Sequence, residues 1–506
     1  MPDVFRALIG QTVANHRPWS RLVVDANVWS TATKELASGD LTLLALWGES
    51  DIVHMALADA ADASCIIVLS LACPDGRYPS VGRVHPPAIR LERAIIDLFQ
   101  LTPVGLPDPR PWLDHGKWDV RAPLGSRESD DRDAGDYAFL PVEGENVHQV
   151  PVGPVHAGII EPGHFRFSAD GESVVRLEER LGYAHKGLES LFQGADLDRA
   201  ARLAGRCSGD STVAYALAFS FAVEAALGWA PPARAVWLRA LMAELERLAN
   251  HLGDIGAICN DAAFPIILSH CAVLRERILR EAKMCFGHRL MMDCVVPGGL
   301  IANLDPPGAA RISALATDIA GRLQQLLDLY DKTASLQDRT VGTGVLRPGL
   351  ARQYGAGGFV GRAAGRRCDA RRQPGYAPYT QLAFEVPVLE QGDVNARLWI
   401  RAREAQQSLS LIEQILAKLP AGPIRLAQRA DATSGPREGM AVTEGFRGDI
   451  LVWIRIDANG RVHRCHLRDP SWFQWPLLEA AIEGNILADF PLCNKSFNCS
   501  YSGHDL

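Results

Sequence analysis

No two cysteines in this chain stand three positions apart, although eleven are present. Zinc ribbons and self-contained iron–sulfur clusters draw ligands from such close pairs, so neither is expected. No apolar stretch reaches the roughly 20 residues that a bilayer crossing needs. The longest, 216–230, carries Glu224 at its middle. The start, Met1 to Trp19, contains Asp3 and lacks a long apolar run, so no secretion signal is read there. That absence and the odd cysteine count favour a reducing cytoplasm. A net charge of -7 leaves no overall basic field, so nucleic acid is not an expected partner. No Gly-Lys-Ser/Thr follows Gly361-Arg-Ala-Ala-Gly, and Gly342-Thr-Gly lacks a strand–helix context, so neither a P-loop nor an NAD site is read.

What is present is a 506-residue chain, 47% hydrophobic, long enough for two or three domains with sizeable cores. Residues 1–112 read as a small α/β domain. Asp51-Ile-Val-His-Met-Ala-Leu alternates like a half-buried strand, and Ser64-Cys-Ile-Ile-Val-Leu-Ser-Leu reads as a more buried one. Leu91, Ile95, Leu98 and Phe99 recur at helical spacing. Residues 113–150, with the charged run Arg127 to Asp136, read as a polar linker. Residues 151–506 read as a mainly helical bundle with peripheral β-hairpins. One hairpin turns at Asp170-Gly171, and β-like residues span 445–468. Segments 195–228, 233–257, 263–287, 308–336 and 395–419 carry long helical periodicity. The fold class is α+β.

Motifs fall in order along the chain. They are Gly153-Pro-Val-His-Ala-Gly-Ile-Ile-Glu-Pro-Gly-His-Phe-Arg-Phe, Gly182-Tyr-Ala-His-Lys-Gly-Leu-Glu, Glu244-Leu-Glu-Arg-Leu-Ala-Asn-His, Pro297-Gly-Gly, Gly392-Asp-Val-Asn-Ala-Arg, and Glu404 with Ser408. Together they resemble the large subunit of energy-converting, membrane-bound nickel–iron hydrogenases and its relative, the quinone-site subunit of respiratory complex I. Tyr78-Pro-Ser, Leu91-Glu-Arg and Pro103-Val-Gly-Leu-Pro-Asp resemble the small complex I partner subunit, here fused in one chain as in the formate-hydrogenlyase type. The resemblance implies a hydrogenase large-subunit fold whose reaction cavity faces a small iron–sulfur subunit. It also implies antiporter-like membrane subunits nearby and a cytoplasmic, peripheral position on the inner face of the membrane.

The resemblance breaks at the metal ligands. Such hydrogenases carry Arg-x-Cys-Gly-x-Cys-x-x-x-His and, near the C-terminus, Asp-Pro-Cys-x-x-Cys; four thiolates suit nickel and iron. Here Ala204 takes the first cysteine position, Cys207 keeps the second, and Ser211 replaces the histidine. The C-terminal pair is Cys499 with Ser502, or Ser500 with Gly503, depending on register. The sequence ends at Leu506, directly after this segment, so no maturation tail is expected. The complex I tyrosine falls at Gly209 and its histidine at Ile160. The hydrogenase-related complexes that lack metal ligands fit best.

Cys207, beside Arg206 and ahead of a helix, is expected to have a lowered pKa and to act as a redox or substrate-contacting thiol; otherwise it is an inert remnant. Glu161 and His164 suit a proton relay, or else a hairpin salt bridge with Arg166. Asp261 aligns with the acid that supports the complex I histidine. Arg206 is expected at the edge of the partner's cluster or on an anion. Arg362, Asp369 and Arg371 are expected to pin the Gly/Arg-rich loop to the core. His463 and Cys465 share a strand face and His466 does not, which makes a poor metal site. No cofactor is expected on this chain itself, and a quinone is the candidate acceptor. The implied role is an oxidoreductase subunit of the NADH:quinone or hydrogenase-related kind, coupled to ion transport. A non-catalytic coupling subunit is one alternative. A nickel–iron enzyme with relocated ligands, Cys207, Cys493 and Cys499, is another.

Overall fold

The computed structural model describes residues 3–126, 137–157, 160–429 and 433–506. Its N-terminal layer contains β1 Gln11–Thr12, β3 Ser20–Val24, β4 Leu41–Gly48, β5 Ile52–Asp59 and β6 Ile66–Ala72, in the order β1-β3-β6-β5-β4; β2, His16–Arg17, joins a different sheet. Helix α1, Ala26–Ser38, starts because the Asp25 side chain accepts from the N–H groups of Asn27 and Val28. Helix α1 and helix α2, Ile89–Phe99, lay Trp29, Leu36, Leu91 and Ile95 into the core shared with this sheet.

A second, antiparallel sheet joins β7 Val147–Val152, β8 His164–Asp170 and β9 Ser173–Arg180. Strand β7 and the buried Leu113 correct the reading of 113–150 as wholly linker. Apolar side chains at both ends of that stretch outweigh its polar middle, and Arg127–Asp136 lies outside the described residues.

The third sheet contains β10 Arg437–Glu444, β11 Asp449–Ile456 and β12 Val462–Arg468, and β2 pairs with β10 in parallel. This corrects the expected peripheral hairpin. The sheet is central because it has partners on both faces. On one face Met440, Val442, Leu451 and Trp453 pack against Ala45, Trp47, Ala56 and Val68 of β4, β5 and β6. That contact buries both faces of β5, which the alternating pattern marked as half-buried. On the other face β10 touches a long helix so closely that a Cβ on Gly439 would lie 1.9 Å from the Ala222 carbonyl oxygen. Charge also crosses the sheet–sheet contact. Glu438 binds Arg21 at 2.9 Å and Arg455 at 2.8 Å, and Glu49 binds Arg455 at 2.6 Å and His54 at 3.0 Å.

The helices follow the periodic segments with one correction. The stretch 195–228 is not one helix. It is α3, Leu197–Ala204, a turn through Gly205–Ser211, and α4, Thr212–Leu227. Asp196 caps α3 and the glycines of Gly205-Arg-Cys-Ser-Gly interrupt the run. Then come α5 Ala233–Asp261, α6 Pro265–Phe286, α7 Pro306–Lys332 and α8 Val394–Lys418. The tail adds α9 Ser471–Ile482, α10 Phe490–Phe497 and α11 Tyr501–Asp505. Segment 209–227 is long and apolar enough to cross a membrane by composition, yet 78% of its window is buried. Inside, Glu224 accepts two hydrogen bonds from Arg239, at 3.0 and 2.6 Å.

Trp453 fills the sheet–sheet contact, with its ring 5.6 Å from Trp47. Trp453→Ala is expected to cost about 3–5 kcal/mol in chemical denaturation. A loss below roughly 1 kcal/mol would show that the two sheets do not share one core.

Candidate functional site

The turn between α3 and α4 meets the C-terminal tail. The Ser208 and Ser500 hydroxyls are 2.9 Å apart. Ser208 also donates to Asp210 at 2.9 Å. Arg447, in the β10–β11 turn, donates to both Asp210 oxygens at 2.7 and 2.6 Å and to the Asn498 carbonyl at 2.5 Å. Lys186 donates to the Cys207 carbonyl at 3.2 Å and the Ser502 carbonyl at 2.9 Å. One guanidinium and one ammonium thus clamp the same two segments.

Deeper in, the Tyr215 hydroxyl donates to the Asp469 carboxylate and contacts the Cys207 thiol. Asp469 also accepts from the Ser471 N–H at 2.7 Å, and the Ser471 hydroxyl accepts from the Ser500 N–H at 2.8 Å. Ser500 caps α11 by accepting from the Gly503 N–H at 2.9 Å. A Cβ on Gly503 would lie 2.4 Å from an Asp469 oxygen, so a carboxylate occupies the space a cysteine would need there. The tail end is fixed as well. Asp505 accepts from the Ala184 N–H at 2.9 Å, and His504 stacks on Trp472 with ring centres 4.0 Å apart.

The expected low pKa of Cys207 is overturned. Burial pushes its thiol up to about 12, aided by the Asp469 charge and opposed by Lys186. Arg206 does not help, because its guanidinium points outward and holds Asp293 at 2.6 and 2.8 Å. Nor does the thiol stand at the start of α4, since the turn at Gly209–Ser211 intervenes.

Glu161 and His164 are not joined by a hydrogen bond among the described residues. Glu161 is exposed and accepts from the Ser502 N–H at 3.0 Å, so it does reach the tail. His164 is buried, which lowers its pKa, and its ring nitrogens face the Gly153 carbonyl at 3.4 Å and Arg166 at 3.3 Å. The alternative Glu161–Arg166 bridge is not formed either, because Arg166 donates to Gln149 and His164. Asp261 lies at the end of α5, half-buried, with its pKa raised by burial. Asn250, which donates to the Asp210 carbonyl at 2.7 Å, marks where α5 passes the site. Asp261 is eleven residues farther on, about 16 Å along the axis. It therefore does not join Cys207.

Ala204 is fully buried, and Cys499 is buried with its thiol pushed up by burial. Cys493 packs under Gly344 beside Arg397. Among the described residues no group of three or more His, Cys, Asp or Glu could hold a metal, so the relocated set Cys207, Cys493 and Cys499 is not assembled. His466 pairs with Glu189 at 2.7 Å, while His463 is exposed. The donors around Cys207 are hydroxyls, carboxylates, an ammonium and a protonated thiol. They do not fit a four-thiolate nickel–iron centre. Sequence reasoning missed Tyr215, Asp469, Arg447 and Asp210, which stand far apart in the chain without a local pattern. Lys186 lies inside the Gly182-Tyr-Ala-His-Lys motif, where nothing local marks it as a clamp.

Residues 263–441 and 427–505 match the family described as respiratory-chain NADH dehydrogenase, 49 kDa subunit. Formate hydrogenlyase subunit 5 of Escherichia coli (strain K12) is 32% identical over 439 residues, covering 85% of this chain and 77% of that one. The chain belongs to this 49 kDa subunit family. The carbon monoxide-induced hydrogenase of Rhodospirillum rubrum, another relative, is 30% identical over 70% of this chain and 98% of its own length. An NADH-quinone oxidoreductase subunit of Bacteroides thetaiotaomicron is 26% identical over 77% of this chain and 78% of that one. Among solved structures, the membrane-bound sulfane sulfur reductase, an archaeal respiratory membrane complex, aligns with a TM-score of 0.67 at 26% identity. The match covers 72% of this chain and all of that one. The family's members thus include subunits of hydrogenases and of NADH–quinone oxidoreductases.

In the folded chain at pH 8, Cys207 is expected to resist iodoacetamide, read by mass-spectrometric mapping. Modification as fast as in the unfolded chain would refute its burial. Glu246 accepts from the N–H groups of Val213 at 2.7 Å and Ala214 at 3.0 Å, yet burial and the Asp210 charge push it up to about 8. The folded chain therefore keeps a proton that the unfolded chain loses above about 4.5. Its contribution to stability is full below about 4.5 and is lost as pH rises from there through about 8. Glu246→Gln is expected to flatten that part of the stability profile in urea titrations. An unchanged slope would contradict the assignment.

Proposed function

We propose that this chain is the large subunit of a membrane-associated oxidoreductase complex that works without a nickel–iron centre. It takes electrons from a small iron–sulfur partner and passes them to a small acceptor, and the complex couples this to ion movement through antiporter-like membrane subunits. Family membership supports the oxidoreductase role. The observation that carries the rest is the donor set. Where the resemblance places thiolates, this chain sets the Ser208–Ser500 hydroxyl pair and the Cys207–Tyr215–Asp469 group.

That group suits proton delivery. Asp469 holds the phenol of Tyr215 in place, and Lys186 offers a positive charge to an acceptor gaining electrons. A quinone, or a sulfur compound such as the solved neighbour's name indicates, needs protons as it is reduced. In this reading Tyr215 gives one while Asp469 keeps the hydroxyl oriented, and the exposed Glu161, bound to the Ser502 N–H, exchanges protons with solvent.

A coupling subunit without chemistry is the second reading. The Asp469 carboxylate beside Gly503 favours it, because the space of one ligand side chain is filled.

The deciding experiment is elemental analysis for nickel and iron on the complex purified with its partner subunits. Iron without nickel is expected. Nickel near one per complex would overturn the proposal. Tyr215→Phe and Asp469→Asn then separate the two readings. A working site loses turnover with a quinone or polysulfide by at least tenfold while the complex still assembles; a pure coupler keeps the activity of the complex.

A further inference from the structure

The Gly/Arg-rich loop after α7 is only partly used by the fold. Arg362 binds Glu404 at 2.6 Å and Glu444 at 2.9 Å, and Arg371 binds Asp369 at 2.7 Å and Glu244 at 3.0 Å. Those residues pin the loop, as the sequence leads one to expect. Four other arginines, Arg352, Arg366, Arg367 and Arg372, turn the other way. They line one wall of a cleft of about 1340 Å³ that shares no residue with the site around Cys207. The opposite wall is made of small residues from the end of α1, the start of β4 and the end of β5, such as Ala37, Gly39, Ala60 and Ala61.

The charges in this cleft are unbalanced. Arg352 and Arg367 are exposed, and their side chains make no hydrogen bond or ion pair among the described residues. Arg366 spends a single nitrogen on the Ala356 carbonyl, at 2.8 Å. Arg372 lies over the Phe384 ring, its guanidinium carbon 3.8 Å from the ring centre, and its side chain makes no hydrogen bond among the described residues. Three carboxylates also line the cleft, but Asp369 is taken by Arg371 and Asp59 accepts from the N–H groups of Ala61 and Asp62. Among the described residues of the cleft, Asp59 and Glu385 thus carry the negative charges that no cation pairs, against four arginines. This concentration of free guanidinium stands out on a chain whose net charge is -7.

We propose that this cleft binds a polyphosphate-type anion, with two or more adjacent phosphoryl groups. Guanidinium forks match phosphate oxygens in pairs. A single carboxylate would leave most of the four cations unneutralised, whereas a diphosphate can engage all of them. The volume exceeds the usual 300–1,000 Å³ of a small-ligand pocket, so a nucleoside attached to the phosphates also fits.

The test is titration calorimetry on the full chain with sodium pyrophosphate, with ADP, and with phosphatidylglycerol vesicles. Saturable binding of pyrophosphate is expected, weakening with salt. The double variant Arg352→Ala/Arg367→Ala is expected to bind about tenfold or more weakly, with thermal unfolding unchanged. If that variant is unstable, Arg352→Lys/Arg367→Lys keeps the charge, loses the fork geometry, and is expected to bind with intermediate affinity. Tighter binding of ADP than of pyrophosphate identifies a nucleotide source, and equal binding identifies the inorganic anion. The proposal is overturned if pyrophosphate gives no saturable heat, if the variants bind as well as the native chain, or if only the vesicles bind and pyrophosphate does not compete.

Discussion

Arg447 holds the site together. Its guanidinium takes both oxygens of Asp210 and the carbonyl of Asn498, so one side chain from the central sheet fixes the turn before α4 and the start of the tail. The geometry has few alternatives. Three directed hydrogen bonds from a planar, buried group fix both position and angle. Lys186 repeats the clamp from the other side with a rounder charge. Losing Arg447 would leave the half-buried Asp210 carboxylate without its main partner. Every other contact at the site, from Ser208–Ser500 to Tyr215–Asp469, presupposes that these two segments are in register.

The interior around this clamp is unusually ionic. Glu244 alone is held by Arg371, Tyr379 and Ser408, at 3.0, 2.6 and 2.6 Å. Glu404 is held by Arg362 and by His251, at 2.6 and 2.9 Å. Such groups add little net stability compared with an apolar core, but they tolerate few alternative packings. They tie α5 and α8 to the Gly/Arg-rich loop and to β10, whose next turn carries Arg447. The bundle and the sheet are therefore joined through buried ion pairs as well as apolar packing.

Much of this was legible in the sequence. The long helices α5, α6, α7 and α8 followed from apolar periodicity, and the family followed from motif order. What escaped were facts set by distant partners. Nothing near 437–468 says that a second sheet will cover it, so the segment reads as a peripheral hairpin until Trp47 is placed against Trp453. Nothing near Cys207 says that Arg206 will turn away to Asp293, or that Tyr215 and Asp469 will enclose the thiol. Position in a turn ahead of a helix suggested an activated cysteine; burial decided the opposite. Glu161 stands out by its motif, and its contact with the tail is real, but its pairing with His164 depended on a hairpin geometry that places the two apart.

The charge balance at the site bears on the metal. A four-thiolate site carries four negative charges that a metal must neutralise. Here two cations, Lys186 and Arg447, face the carboxylates Asp469 and Asp210, Glu161 and Asp505 are held on backbone N–H groups at the tail, and hydroxyls and a thiol held protonated complete the group. A dication entering it would have to break the Arg447–Asp210 pair or displace the Tyr215 hydroxyl from Asp469. An electron acceptor arriving neutral and leaving protonated makes no such demand, because its charge never departs far from zero. In the proposed reading, this hydrogen-bonded arrangement suits a reaction in which each electron is followed by a proton.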